Sequence, residues 1–357
     1  MTRKRFGPSL YFYHDKAIYD GLCQHGMTKP ELHRFLKRKG VFASQETEKE
    51  DIAFYLSASL FDYHDRQKLT ESLSTKPKRE NITSSAIKST EDSKLDDEAI
   101  RQSLQKMSGN INASPDCQAK VHSTKDGIFI LDVTYKDHDL TKPEVRQIET
   151  KKAQIEVVKE ADGYTVRSQA NEYGENLLAV LKKSLIEETK EDLEIKELSL
   201  IGLNNLQISK FFNLLINNVD GYQLNDVSSV RLHHPDEEDG EAEASHIRKA
   251  MLNGKQVLVS KELKSLYDRG FHISSVQWIS DDKLPNGDRV AFEASLKRPE
   301  TKDGFAFQIR GLYRYSERTG DITQKLQPAS NTEKRDIHKK LELSAELALE
   351  TVCKNEG

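Results

Sequence analysis

Asp192, Glu194 and Lys196 recur at every second position, so at the start of a strand their three side chains fall on one face. Two carboxylates and an amine so placed can hold a divalent cation and orient a water for attack on a phosphodiester. A second group, His233, His234 and His246 with Asp236, Glu237, Glu238 and Asp239 between them, gathers metal-ligand chemistry in one segment. No helical His spacing or Cys partner fixes a geometry there, and the closing bidentate Glu of a calcium loop is absent. The run 235–243 is therefore read as an acidic, solvated loop, and no metal site is assigned. Trp278, Phe305, Phe307, Tyr313 and Tyr315 could stack bases on a sheet face, but alternating aromatics in strands more often form core and cross-strand pairs. No Walker loop, dinucleotide glycine fingerprint, Gly-x-Ser-x-Gly elbow or kinase set occurs. No cofactor is expected.

The other chemistry is cationic. Lys29, Arg34, Lys37, Arg38 and Lys39 precede Gly40, and Arg3, Lys4 and Arg5 stand at the start, whereas Glu46, Glu48, Glu50 and Asp51 follow the glycine. Two elements must position these charges. Thr28-Lys-Pro-Glu31 and Thr47-Glu-Lys-Glu50 both carry the capping-box spacing, in which the Thr accepts from the amide three residues on and the Glu reaches back. This predicts two helices, the first basic and closed by Gly40, the second acidic, joined by an extended stretch from Val41 to Gln45. Leu32, Phe35 and Leu36 recur at helical spacing in the first. Ile52, Phe54, Tyr55, Leu56, Leu60 and Phe61 form a broader apolar surface in the second, so the two can cover one another.

The rest of the 357 residues predicts an α+β multidomain protein: a small helical module followed by two mixed domains with mostly antiparallel sheet. The boundaries expected are a helical module at 1–75, a mobile linker at 76–97, an α+β domain at 98–234, the acidic loop at 235–243 and a second α+β domain at 244–357. The linker rests on Ser, Thr, Lys, Glu and Asp with almost no large apolar side chains, which cannot repay ordering entropy. In the first α+β domain a helix is expected near 98–107, a strand over 127–135, and a hairpin of 154–158 with 164–167 through Asp162-Gly163. Helices at about 177–186 and 206–219 flank a strand at 194–200. In the second, helices at 244–252 and 261–269 bracket a short strand at 257–259. Strands at 271–279, 289–297 and 305–315 then form a meander, under a final helix, 331–353, with Ile337, Leu341, Ala345, Ala348 and Val352 on one stripe.

Charged residues are 31% of the chain and the formal net charge is -4, so any surface for nucleic acid must be a local patch. No apolar run approaches the roughly 18 residues of a membrane span, and no apolar signal core follows the first residues. Three widely spaced cysteines, Cys23, Cys117 and Cys353, fit reduced thiols. The expectation is a cytoplasmic protein without a membrane partner.

The residues Thr28, Glu31, Leu32, Phe35, Leu36, Gly40, Val41, Thr47, Lys49, Glu50, Ile52 and Leu56 resemble the SAP and helix-extension-helix family of small DNA-binding modules, over about residues 27–60. The resemblance implies duplex binding through the phosphate backbone, with Lys29, Arg34, Lys37, Arg38 and Lys39 as an electropositive edge and Arg3, Lys4 and Arg5 as an arm. The acidic second helix departs from the family, whose members often carry basic residues there. Asp192, Glu194 and Lys196 resemble the Asp, Glu-x-Lys core of restriction-type nucleases, which takes its first Asp from an earlier strand; Asp132 is the candidate for that place. The leading expectation is a non-catalytic nucleic-acid-binding accessory or sensor subunit. It would contact DNA through the module and a partner protein through the α+β domains, in a bacterial phage-defence or DNA-processing assembly. The alternatives are a metal-dependent nuclease and a protein adaptor without a nucleic-acid role.

Overall fold

The computed structural model describes residues 13–73, 80–88, 95–124, 127–160, 163–190, 193, 195–234, 248–254 and 257–354. It is an α+β protein with two compact units, and four elements contribute residues to both.

The first unit comprises 1–78, 104–122 and 131–154. Its helices are α1 (Asp15–Cys23), α2 (Lys29–Arg38), α3 (Lys49–Ser57) and α4 (Tyr63–Leu73), together with the latter part of α5 (Asp97–Asn112). At the α2 start the Glu31 carboxylate accepts from the Thr28 amide at 2.8 Å and from its hydroxyl at 2.9 Å. The α2 end is closed as expected: Gly40 has φ +72°, its amide reaches Lys37 O and the Val41 amide reaches Leu36 O. Those two bonds satisfy carbonyls that the helix would leave bare, and the left-handed residue between them suits glycine. The expected box at Thr47 is not formed. Helix α3 begins at Lys49 with Glu48 as its N-cap and no side-chain cap bond. The core unites Ile18, Leu22, Met27, Leu32, Phe35, Leu36, Ile52, Leu56 and Leu69 with Val145, on a 3-10 turn at Glu144–Arg146. Parts of β2 (Cys117–Ser123), β3 (Ile128–His138) and β4 (Ile148–Glu160) complete the unit.

The second unit comprises 79–103, 123–130 and 155–357. Strands β5 (Gly163–Gln169), β1 (Ile82–Lys88), β6 (Ile195–Glu197), β7 (Tyr222–His233), β8 (Lys249–Asn253), β9 (His272–Asp282), β10 (Arg289–Arg298) and β11 (Asp303–Tyr313) follow β4 into one sheet. From β4 onward the strand order is β4-β5-β1-β11-β10-β9-β7-β8, with β6 also on β1. Helices α6 (Glu172–Thr189), α7 (Asn205–Asn217), α8 (Lys261–Asp268) and α9 (Asn331–Lys354) accompany it. The stripe Ile337, Leu341, Ala345, Ala348 and Val352 on α9 is buried with Phe211, Phe212 and Leu215 of α7 and Trp278, Phe292, Phe305 and Phe307 of the strands. A short hairpin, β12 (Tyr315–Ser316) and β13 (Asp321–Ile322), lies apart from the main sheet.

Four further expectations are corrected. Residues 82–88, placed in a mobile linker, form β1, paired with β5 at seven consecutive positions and joined by Ile82 to Phe307 of β11. The segment gains its order from backbone bonds on both edges, so scarcity of large apolar side chains does not leave it free. The two expected α+β domains share this sheet, because β1 links strands of both and β7 pairs with β8 and β9 across the acidic run. The helix expected at 244–252 is the strand β8 from Lys249 onward, and 257–259 is a 3-10 turn, not a strand.

Candidate functional site

Helix α2 has two opposed faces. Leu32, Phe35 and Leu36 are buried in the first unit's core, while Arg34 and Lys37 project from the exposed side, one turn apart. Neither makes an ion pair with a described residue, and Lys29 at the helix start is half-buried, also without one. Arg38 and Lys39 are different. Asp65 on α4 is only 4% exposed; Lys39 Nζ lies 2.7 Å from its Oδ2 and Arg38 Nη1 3.4 Å from its Oδ1. Lys39 also donates to the Leu60 carbonyl and stands 5.5 Å from the centre of Phe61, which stacks on Phe35. These two cations serve the fold by compensating a buried carboxylate.

Lys49, among the residues of the module resemblance, is likewise engaged: Nζ donates to the Cys23 and Gln24 carbonyls at 3.0 and 2.8 Å, capping the end of α1. Glu50 and Asp51 leave the α3 start exposed and acidic. Phe42, Phe54, Tyr55, Leu60 and Tyr63 are exposed in the same unit, Phe42 and Leu60 at more than 80%. The expected arm, Arg3, Lys4 and Arg5, lies outside the described residues.

Of the nuclease trio only Lys196 is described, since Asp192 and Glu194 fall outside the described residues. Lys196 is exposed on β6, at the rim of a cavity of about 350 Å³ in the second unit. Ile87, Leu198, Phe307 and Ala345 give that cavity an apolar floor. Two of its acids are held: Lys339 meets Glu160 at 2.6 Å, and Glu342 forms a two-pronged pair with Arg167 at 2.8 and 2.7 Å. Arg167 in turn reaches Glu156 at 3.3 Å, which also accepts from Arg335. Burial works against the Arg167 charge, yet the two carboxylates hold its pKa above the ordinary value. Asp132 belongs to the first unit, exposed and accepting from Gln154 at 2.8 Å. Among the described residues no three His, Cys, Asp or Glu side chains gather as a metal site.

The other candidates are placed as follows. Trp278, Phe305 and Phe307 are buried, with Trp278 stacked on Phe292 at 5.1 Å, so they belong to the core and offer no base platform. Tyr313 and Tyr315 are half-exposed. His233 is buried 5.7 Å from His272, and His234 packs edge-on to Phe271. His246 and 235–243 lie outside the described residues. Nothing local in the sequence signals Asp65 or the Arg167 network, because their partners are 26 and 175 residues away.

Residues 16–79 match the family described as the GAPS4b protein N-terminal domain, a span that takes in nearly all of α1 through α4 but less than a fifth of the chain. No curated protein matches the chain.

Proposed function

We propose that this is a non-catalytic binding protein whose N-terminal module contacts the phosphate backbone of DNA through the outward face of α2. The observation that carries the reading is the division of labour among the five cations. Arg34 and Lys37 point to solvent without a described partner, and Lys29 adds a third charge at the helix start. Solvated cations opposite an apolar stripe release condensed counterions when they meet phosphates, and they read no sequence. Arg38 and Lys39 take no direct part, because Asp65 holds them. The second unit then binds a partner protein, and the whole serves as an accessory or sensor subunit in a bacterial DNA-processing or phage-defence assembly. We place it in the cytoplasm, in keeping with free thiols at Cys23, Cys117 and Cys353. No described helix is long and apolar enough to cross a membrane.

A second reading, a protein adaptor, is favoured by Phe42, Phe54 and Leu60, whose exposure suits a protein contact better than a phosphate. Binding to labelled duplex, single-stranded DNA and RNA, with magnesium and with chelator, separates the readings. Wild-type binding to duplex that is lost on Arg34→Glu with Lys37→Glu supports the DNA contact. Affinity unchanged by that double variant refutes it, and loss of a protein partner on Phe42→Ser with Leu60→Ser supports the adaptor. Cleavage that needs magnesium would restore the nuclease.

A further inference from the structure

One face of the second unit's sheet differs from the face under α7 and α9. The cross-strand row Met251, Arg231, Ser275, Ser295 runs over β8, β7, β9 and β10, and paired residues of neighbouring strands share a face. Beside it runs Asn253, Ser229, Gln277, Glu293, Gln308, polar in every member. The register breaks at one point of the first row: Arg231 opposes Ser275 and Leu232 opposes Ile273, which leaves Ser274 as the extra residue of a β-bulge. A bulge of this kind re-aims side chains. Here Ser274 Oγ donates to the Arg231 carbonyl at 3.1 Å and pins the backbone beneath the Arg231 side chain. Ser274 and Ser275 both line a cavity of about 370 Å³ over this face, with Asn81, Arg231, Lys249 and Ser295.

We infer that this cavity binds the phosphate group of a small phosphomonoester through Arg231, Lys249, Ser275 and Ser295. Arg231 and Lys249 are exposed and make no ion pair with a described residue, so their two charges match the dianion of a phosphomonoester. Asn81 Nδ2 donates to Ser295 Oγ at 2.7 Å, which leaves the Ser295 hydroxyl proton to point at a ligand. The acid in the lining, Glu293, accepts from Gln308 at 3.0 Å and lies 3.8 Å from Arg310 Nε, so its charge is compensated within the sheet. His233 borders the cavity with Glu300 3.6 Å from its Nε2. The volume exceeds that of one phosphate, and Met251 and Pro299 give the remainder an apolar edge for an organic group.

The test is titration calorimetry of the full chain with inorganic phosphate, adenosine 5′-monophosphate and ribose 5-phosphate, with adenosine and ribose as uncharged controls. The expected result is saturable binding of the phosphorylated probes and none of the controls. Arg231→Gln and Lys249→Gln should each weaken it at least about tenfold, the scale of a lost charge-assisted bond. Ser295→Asp, which sets a carboxylate against the phosphate, should abolish it while the thermal midpoint without ligand stays close to wild type. Arg34→Glu with Lys37→Glu should leave it intact, so its outcome is separate from that of the DNA contact. Absence of saturable binding, equal binding of adenosine, or binding unmoved by Arg231→Gln would overturn the inference. Loss on changing Arg34 and Lys37 alone would assign the phosphate to α2 and overturn it as well.

Discussion

The salt dependence of DNA binding should count the cations that the fold leaves available. Helix α2 and its end carry five, yet Asp65 engages Arg38 and Lys39, which leaves Lys29, Arg34 and Lys37. Each neutralised phosphate contributes about -0.9 to the slope of log K against log salt, so three contacts give about -2.7 and five would give about -4.5. Between about 50 and 200 mM salt the first slope costs roughly 40-fold in affinity and the second roughly 500-fold. Arg34→Gln with Lys37→Gln should bring the slope to about -0.9, a loss of only about threefold to fourfold over the same range. Lys39→Met should leave the slope unchanged, because its ammonium already faces Asp65 and the Leu60 carbonyl. Fluorescence anisotropy of a labelled duplex across a potassium chloride series reads all three slopes. A wild-type slope near -4.5, or a Lys39→Met slope that falls by about one, would refute the division between available and engaged cations.

Other consequences are equally open to measurement. Lys39→Met should destabilise the first unit by about 2 kcal/mol in urea, since Asp65 keeps only the longer contact to Arg38; no loss would mean that Asp65 is solvated. Ser85→Pro in β1 should cost about 3 kcal/mol or more by removing a bond in a strand paired on both sides, where a mobile linker would tolerate it. Trp278 is the chain's single Trp and is 1% exposed, so its emission should resist acrylamide and remain unchanged on adding DNA; quenching by DNA would restore a stacking role. Burial holds His338 and His272 neutral, with pKa values pushed down to about 3 and about 4. The unfolded chain then binds protons below pH 6.5 that the native state refuses, so stability falls as pH drops from 6.5 toward 4, by about 2 kcal/mol for each His at about pH 5. His338→Met should remove about half of that acid slope, and an unchanged slope would show that His338 is not held neutral.

What could be read from the sequence was local. Thr28, Glu31 and Gly40 mark α2 because the groups that satisfy its ends lie within five residues of one another. The apolar stripes of α2 and α9, and strands β9 to β11, follow from periodicity in the same way. The failures share a different cause. Strand β1, Ile-Thr-Ser-Ser-Ala-Ile-Lys, has the composition of a linker, and only its neighbours β5, β6 and β11 make it a strand. Strand β8 reads as a helix until β7 is known to lie beside it.

Charge follows the same rule with a functional consequence. Lys37, Arg38 and Lys39 are adjacent and alike in sequence, but a carboxylate on α4 separates them into one cation facing water and two committed to the fold. Burying Asp65 without them would cost several kcal/mol, so the fold holds them more firmly than any exposed phosphate contact would. Arg231 shows the converse: it is one of many cations in a chain that is 31% charged, and it stands out only because a bulge and two neighbouring strands set hydroxyls around it. In this protein a cation's capacity for binding is therefore set by which acids the fold brings within about 4 Å of it, a distance at which ion pairing competes directly with an external anion. That makes the double variant of Arg34 and Lys37, set against Lys39→Met, a test of the proposed DNA contact and of the buried Asp65 pair through separate readouts, salt slope and stability.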